Sequence, residues 1–127
     1  MSWDFDLCDP VTKECLSAEQ KHMIAGRTFC IGGTTEMTLN ITYNYSNIIN
    51  KKMKELGISK EDSYSYAHYI HGKTGAETIK PLKKIIASLD DIIENDYWKA
   101  TEGNAKRALY GLLAFSQLRP DGIWNVY

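Results

Sequence analysis

The chain has 127 residues, of which 43% are hydrophobic and 24% charged, and its formal net charge is −1. This length fits one domain with a real core, and the composition argues against disorder. A charge so close to zero gives no electrostatic case for binding nucleic acid or an anionic membrane. We therefore expect a single domain over residues 1–127 whose partner is neither of these.

The start of the chain and its cysteines bear on the compartment. No apolar run approaches the ~18–20 residues of a membrane span, and residues 1–6 lack the pattern of a secretory signal. We therefore expect cytoplasmic residence, with Cys8, Cys15 and Cys30 as reduced thiols. Cys8 and Cys15 could face each other across a hairpin, but a metal site would need tighter spacing and a fourth ligand. The sequence predicts no metal and no cofactor.

Alternating side chains predict strands in the first third of the chain. Trp3, Phe5 and Leu7 alternate with polar residues, as in a half-buried strand. Residues 9–13 have the composition of a turn, so residues 14–16 are expected to return beside the first strand. The result would be a hairpin.

A second period-two pattern covers residues 36–43, with Met37, Leu39, Ile41 and Tyr43 on one face. Two glycines at positions 32–33 can turn the chain before it. Upstream segments are expected to be irregular over 17–26 and β-prone over 27–31. Three or four antiparallel strands would then form one small sheet.

Three helices are expected after this sheet. The first covers residues 46–56 and ends before Gly57, the second carries an apolar stripe from Leu82 to Ile93, and the third begins after Thr101 as N-cap. The apolar tail at 123–127 is expected to dock back onto the fold. The fold class is therefore α+β, a small antiparallel sheet of three or four strands packed against about three α-helices.

The start of the second helix has two interpretations. Thr74 and Glu77 have the spacing of a capping box. Pro81 lacks the N–H that a helix interior needs. Either the box closes one short turn and Pro81 begins the helix, or one helix runs through and is kinked there.

The first candidate site is the polar face of the 36–43 strand. Glu36, Thr38, Asn40 and Thr42 alternate along it, and Asn44 continues the row. If this face lines a cleft, Glu36 and Asn40 could hold a polar ligand with Tyr43 or Tyr45 at the rim. The alternative is the solvated face of an antiparallel sheet.

Histidines supply the second candidate. His68 and His71 stand three residues apart, with Glu77 nearby, and two histidines with a carboxylate can bind zinc. The metalloprotease spacing with its internal Glu is absent, and a third ligand would have to come from His22, Glu36 or a cysteine. The alternative is a pair of surface or capping histidines.

The third candidate is the start of the last helix, where backbone N–H groups favour anions. Thr101 and Asn104 lie in its first turn. Lys99, Lys106 and Arg107 surround this helix start, and Tyr97 or Trp98 could stack a base or a ring. Nucleic-acid binding through these three cations is therefore a third interpretation, and it predicts an affinity that falls steeply with salt. The alternative is that Thr101 is a plain cap and that Glu102 already complements the helix dipole.

Four segments together resemble a family of small uncharacterised proteins from Firmicutes and their phages or mobile elements. They are residues 32–36, 39–46, 72–79 and 97–105, and the likeness covers about 26–124. The chain departs from the family in the segment 59–69, which reads as an insertion. The resemblance implies a bacterial or phage setting and no mechanism.

These observations lead to a non-enzymatic binding or accessory protein. Its contact surface would be polar and aromatic at the strand-to-helix junction, its partner a protein or small molecule, and it could be a homo-oligomer. Its ligand-binding candidates are Glu36, Asn40, Tyr43, Asn44, His71, Thr101 and Asn104. The alternative is a small-molecule or metal-dependent enzyme. It would use Glu36, Asn40, His71 and Glu77, and it requires that these groups converge on one point of a pocket.

Overall fold

A computed structural model describes residues 1–22, 33–59, 65–96 and 98–127. Its strands are β1 (Ser2–Cys8), β2 (Ser17–His22), β3 (Thr34–Glu36), β4 (Thr38–Thr42) and β5 (Ile123–Val126). Its helices are α1 (Ser46–Glu55), α2 (Tyr66–Ile70), α3 (Gly75–Ser88) and α4 (Glu102–Leu118). The α+β class with its antiparallel strands is confirmed.

Strand β1 forms the centre of a three-stranded antiparallel sheet in the order β4-β1-β5. The predicted alternation of buried and polar side chains along β1 is confirmed, since Phe5 and Leu7 are completely buried. The predicted return beside β1 is confirmed, since Cys8 and Cys15 form an antiparallel bridge. The tail docks as expected and pairs with β1 as strand β5.

A second, two-stranded sheet corrects the prediction for residues 17–22; the rest of the segment, 23–26, lies outside the described residues. Residues 17–22 form β2, which pairs antiparallel with β3, and are not irregular. Gly33 has φ +82°, as the predicted turn requires. The β-prone segment 27–31 lies outside the described residues.

The predicted strand over 36–43 is divided at Met37. The backbone N–H of Met37 donates to the carbonyl of Leu16 at 2.7 Å, and its carbonyl accepts from the N–H of Leu7 at 2.9 Å. Met37 thus turns from one sheet to the other. A single alternating pattern therefore extends from β3 of the two-stranded sheet into β4 of the three-stranded sheet.

Helix α3 begins at the capping box and includes Pro81, as in the second of the two predicted interpretations. Both halves of the capping box of Thr74 and Glu77 are present, and the helix continues through Pro81. Because α3 ends at Ser88, the predicted stripe was too long: Ile92 and Ile93 are 66% and 53% exposed.

Helix α4 begins after Thr101 as predicted and packs along α3. Its buried residues Ala105, Leu109 and Leu112 face a core shared with the sheet and the other helices. Leu118, the last residue of α4, is 63% exposed. Among the described residues, no helix is long and apolar enough to span a membrane.

Candidate functional site

The polar face of β4 is buried. Thr38 and Asn40 are each 6% exposed and Thr42 is 1% exposed. This burial contradicts the expectation of a solvated face. β1 presents Ser2, Asp4 and Asp6 to the same face, because the register pairs Asp4 with Asn40 and Asp6 with Thr38.

Hydrogen bonds within the sheet hold these buried groups. The Asn40 amide donates to Ser2 Oγ at 2.7 Å and to Asp4 Oδ1 at 3.0 Å. Asp6 accepts from the Thr38 hydroxyl and, at 2.8 Å, from the Tyr127 hydroxyl. Since buried polar groups are normally satisfied by such partners, this row has a structural role without any ligand.

The other groups of the enzyme alternative are engaged separately. Glu36 is exposed at the end of β3, opposite Ser17 in the second sheet. His71 Nδ1 accepts from the backbone N–H of Val126 at 3.0 Å. The Glu77 carboxylate accepts from the backbone N–H and the hydroxyl of Thr74, each at 3.0 Å.

Hydrogen bonds from Thr74 lower the pKa of the exposed Glu77 carboxyl below its usual value. The bond from the backbone N–H has the larger effect and the bond from the hydroxyl the second largest. This shift therefore reflects helix capping. In the part of the chain that the structure describes, no three His, Cys, Asp or Glu side chains are grouped so that they could hold a metal ion.

At the start of α4, Thr101 accepts from the N–H of Asn104 at 3.1 Å, as a plain N-cap does. The buried Asn104 amide donates to the carbonyls of Asp96 and Lys99, both at 3.1 Å, and accepts from the N–H of Glu94 at 3.2 Å. Its side chain thus shapes the preceding loop.

The cations near this helix start include one that is already paired. Lys106 Nζ lies 2.8 Å from Asp91 Oδ1, and that bond raises the pKa of Lys106. Lys106 therefore adds no uncompensated positive charge to an anion site.

Replacing Asn104 by Asp tests this loop-shaping role. Asn104→Asp keeps an acceptor for Glu94 but presents oxygens to the carbonyls of Asp96 and Lys99. We expect a loss of about 1–3 kcal/mol in the free energy of unfolding, because two donors vanish and a charge is buried. Urea unfolding measures it. A neutral result would show that the loop does not need the amide.

One group of aromatic side chains lies at the edge of the core, where Trp3 is partly buried against it. The Trp3 ring lies 5.0 Å from the Tyr43 ring and 5.4 Å from the His68 ring, between ring centroids. Next to Tyr43, the Asn44 amide donates to the carbonyl of Trp98 at 2.8 Å. Tyr43 is 37% and Trp98 46% exposed. We call these five residues the aromatic surface.

The aromatic surface includes two of the predicted ligand residues, Tyr43 and Asn44. From the sequence, Trp3 was predicted only in a half-buried strand, His68 as a metal ligand or a surface histidine, and Trp98 as a stacking residue beside the start of the last helix. The sequence feature that could have indicated this contact is that Trp3 lies near the start of one predicted strand and Tyr43 at the end of another. In the structure Trp3 pairs with Ile41, so Tyr43, two residues further on, is its diagonal neighbour. The remaining predicted residues lie elsewhere: Glu36, Asn40, His71, Thr101 and Asn104.

Comparisons with known proteins add no assignment. No protein-family model matches the chain, and neither the search of curated proteins nor that of solved structures found a match.

Proposed function

We propose that this protein is a non-enzymatic binding module and that its contact surface is the aromatic surface. The observation that carries the proposal is the contact of Trp3 with Tyr43 and His68, beside the exposed Asn44 amide and Trp98. Tyr and Trp are enriched at protein interfaces, since they supply large contact areas with a polar tip. The resemblance noted in the sequence supports a bacterial or phage setting.

The arrangement of the polar groups supports binding over catalysis. An enzyme site needs several functional groups around one point of a pocket. Here Asn40 is bonded within the first sheet, Glu36 belongs to the second, and Glu77 caps α3. His71 accepts from the tail strand. Each group therefore has a position that the fold itself explains.

The partner that we propose is a second copy of this chain. A two-fold interface places the same surface of both subunits face to face. The aromatic surface contains no carboxylate, ammonium or guanidinium group, so it can face itself without like-charge repulsion. The exposed face of α3 carries Lys80, Lys83 and Lys84, which would repel their own copies.

Sedimentation equilibrium over a range of concentrations tests self-association. We expect the average mass to rise toward that of a dimer, and Tyr43→Ser or Trp98→Ser to weaken the dimer about tenfold or more, as loss of an interface aromatic does. Tyr110→Ser is the matched control, because Tyr110 is 50% exposed on α4 and lies outside the aromatic surface.

Two results would contradict the proposal. One is a monomer at every concentration up to about 1 mM, where even a weak complex of about −4 kcal/mol would be half formed. The other is a dimer that Tyr110→Ser weakens as much as Tyr43→Ser does. Circular dichroism of each variant shows whether the fold is intact.

A further inference from the structure

The backbone holds Cys8 and Cys15 directly opposite each other. The two residues form an antiparallel bridge. The hydrogen bonds on either side of it run from Asp9 N–H to the Glu14 carbonyl and from Leu16 N–H to the Leu7 carbonyl, both at 2.8 Å. The bonds thus flank the bridge, which makes the cysteines a non-hydrogen-bonded pair.

This kind of pair has the spacing that a disulfide needs. Cα atoms of a non-hydrogen-bonded antiparallel pair lie about 4.5 Å apart, and disulfides join Cα atoms about 4.4–6.8 Å apart. Residues opposite each other in a ladder also present their side chains to the same face of the sheet. The backbone need not move far to join these two sulfur atoms.

The turn between the cysteines keeps the pair in register. The Asp9 carboxylate accepts from the N–H groups of Val11 and Thr12 at 2.8 and 2.9 Å, and the Asp9 carbonyl accepts from Lys13 N–H at 2.9 Å. These bonds depend on no cysteine. The turn therefore favours the same geometry whether the thiols are reduced or oxidised.

The thiols would lose only weak hydrogen bonds on oxidation. Cys8 Sγ donates to the carbonyl of Asp6 at 3.7 Å, and Cys15 Sγ donates to the carbonyl of Leu16 at 3.6 Å. A thiol is a weak donor. Both cysteines are free in this structure.

We propose that Cys8 and Cys15 are a site of oxidative modification, at which a small hydroperoxide or a small disulfide closes an intramolecular disulfide. This inference is independent of the proposed function.

With hydrogen peroxide, the thiolate of one cysteine attacks the peroxide. An S–O bond forms as the O–O bond breaks, which gives a sulfenic acid and, after proton uptake, water. The second sulfur then attacks the sulfenic sulfur: the S–S bond forms, the S–O bond breaks and the second oxygen leaves as water. Two thiols are oxidised and one peroxide is reduced to two waters. With a small disulfide, one thiolate forms a mixed disulfide and releases a first small thiol, and the second sulfur then displaces the other, so that one disulfide is reduced to two thiols.

The environment makes this reaction slow at neutral pH. The pKa of Cys15 is raised to about 12, mainly by burial and secondly by the Asp6 carboxylate. The same two causes, in the same order, raise the pKa of Cys8. Because the thiolate is the nucleophile, the rate below these pKa values should rise about tenfold per pH unit. An unperturbed thiol, with a pKa of about 8.5, would level off by pH 9.

Tryptic digestion under non-reducing conditions reads the bond directly, because trypsin cleaves after Lys13, between the two cysteines. After peroxide treatment we expect peptides 1–13 and 14–21 to remain joined, with the loss of two hydrogen atoms. Cys8→Ser and Cys15→Ser must each abolish the joined species. Cys30→Ser must retain it.

A glutathione redox buffer separates preorganisation by the fold from simple proximity in sequence. With Cys30→Ser protein, we expect the equilibrium constant for the bond to be on the order of tenfold or more larger in buffer than in denaturant, since a well-fitting disulfide stabilises the folded state. Equal constants in the two solvents would overturn the proposal. So would joined peptides that always contain Cys30.

Discussion

Replacement of Gly103 by alanine is expected to lower the free energy of unfolding by about 3 kcal/mol, the upper range for overpacking a filled site. A Cβ atom at Gly103 would lie 2.3 Å from the Ile92 carbonyl oxygen and 2.7 Å from Ile93 Cγ2. The N–H of Gly103 also donates to that carbonyl at 2.9 Å. The substitution must therefore push the loop away and break this bond.

Gly111→Ala, in the same helix, is the matched control. A Cβ atom there meets the end of the flexible Leu39 side chain at 3.1 Å. Alanine gains about 1 kcal/mol over glycine in a helix interior, which offsets that contact. Urea unfolding of both variants gives the comparison. Equal effects would mean that the loop against Gly103 yields freely.

Trp124→Ala is expected to cost about 3–5 kcal/mol, as is usual for removing a large buried aromatic. Trp124 is 1% exposed and lies edge-on to Phe5, with ring centroids 6.2 Å apart. Its indole N–H donates to Ser116 Oγ at 3.1 Å, and Ser116 Oγ lies 2.8 Å from Thr78 Oγ1. The substitution would leave a cavity and remove one partner from a buried hydroxyl pair.

Two controls separate burial from the mere loss of a tryptophan. Trp98→Ala, at a 46% exposed position, should change the stability of the monomer, measured at a protein concentration too low for dimers, by less than about 1 kcal/mol. Trp124→Phe should fall between the two alanine variants, since it keeps most of the apolar volume. Circular dichroism in urea measures all three without relying on tryptophan fluorescence. A loss below about 1 kcal/mol for Trp124→Ala would show that the tail strand adds little to the fold.

The sequence signals that predicted elements correctly depend on neighbouring residues only. The period of Trp3, Phe5 and Leu7 predicted β1, and the cap at Thr101 predicted where α4 begins. At Thr74 the capping box was one of two predicted starts of α3, and the structure decided between them. Cap geometry involves residues three apart, and alternation involves residues two apart. Neither requires knowledge of the tertiary fold.

The failures concern contacts that are remote in sequence. The alternation over 36–43 gave no sign of the division at Met37, because that division arises from bonds to Leu7 and Leu16. The polar residue Asn40 was expected beside a ligand or water, but it bonds to Asp4 across the sheet. A period-two pattern indicates two faces and does not say what covers either one.

The candidate site shows the same limit. Tyr43 and Asn44 were predicted from their place at the end of a strand, yet their neighbours Trp3, His68 and Trp98 come from three other parts of the chain. The sequence by itself determined the α+β class, the main helices and the hairpin that brings Cys8 to Cys15. Only the tertiary structure decided which polar groups are buried among themselves and which aromatic rings meet at the surface. Strand register and helix packing set those meetings, and both join residues far apart in the chain.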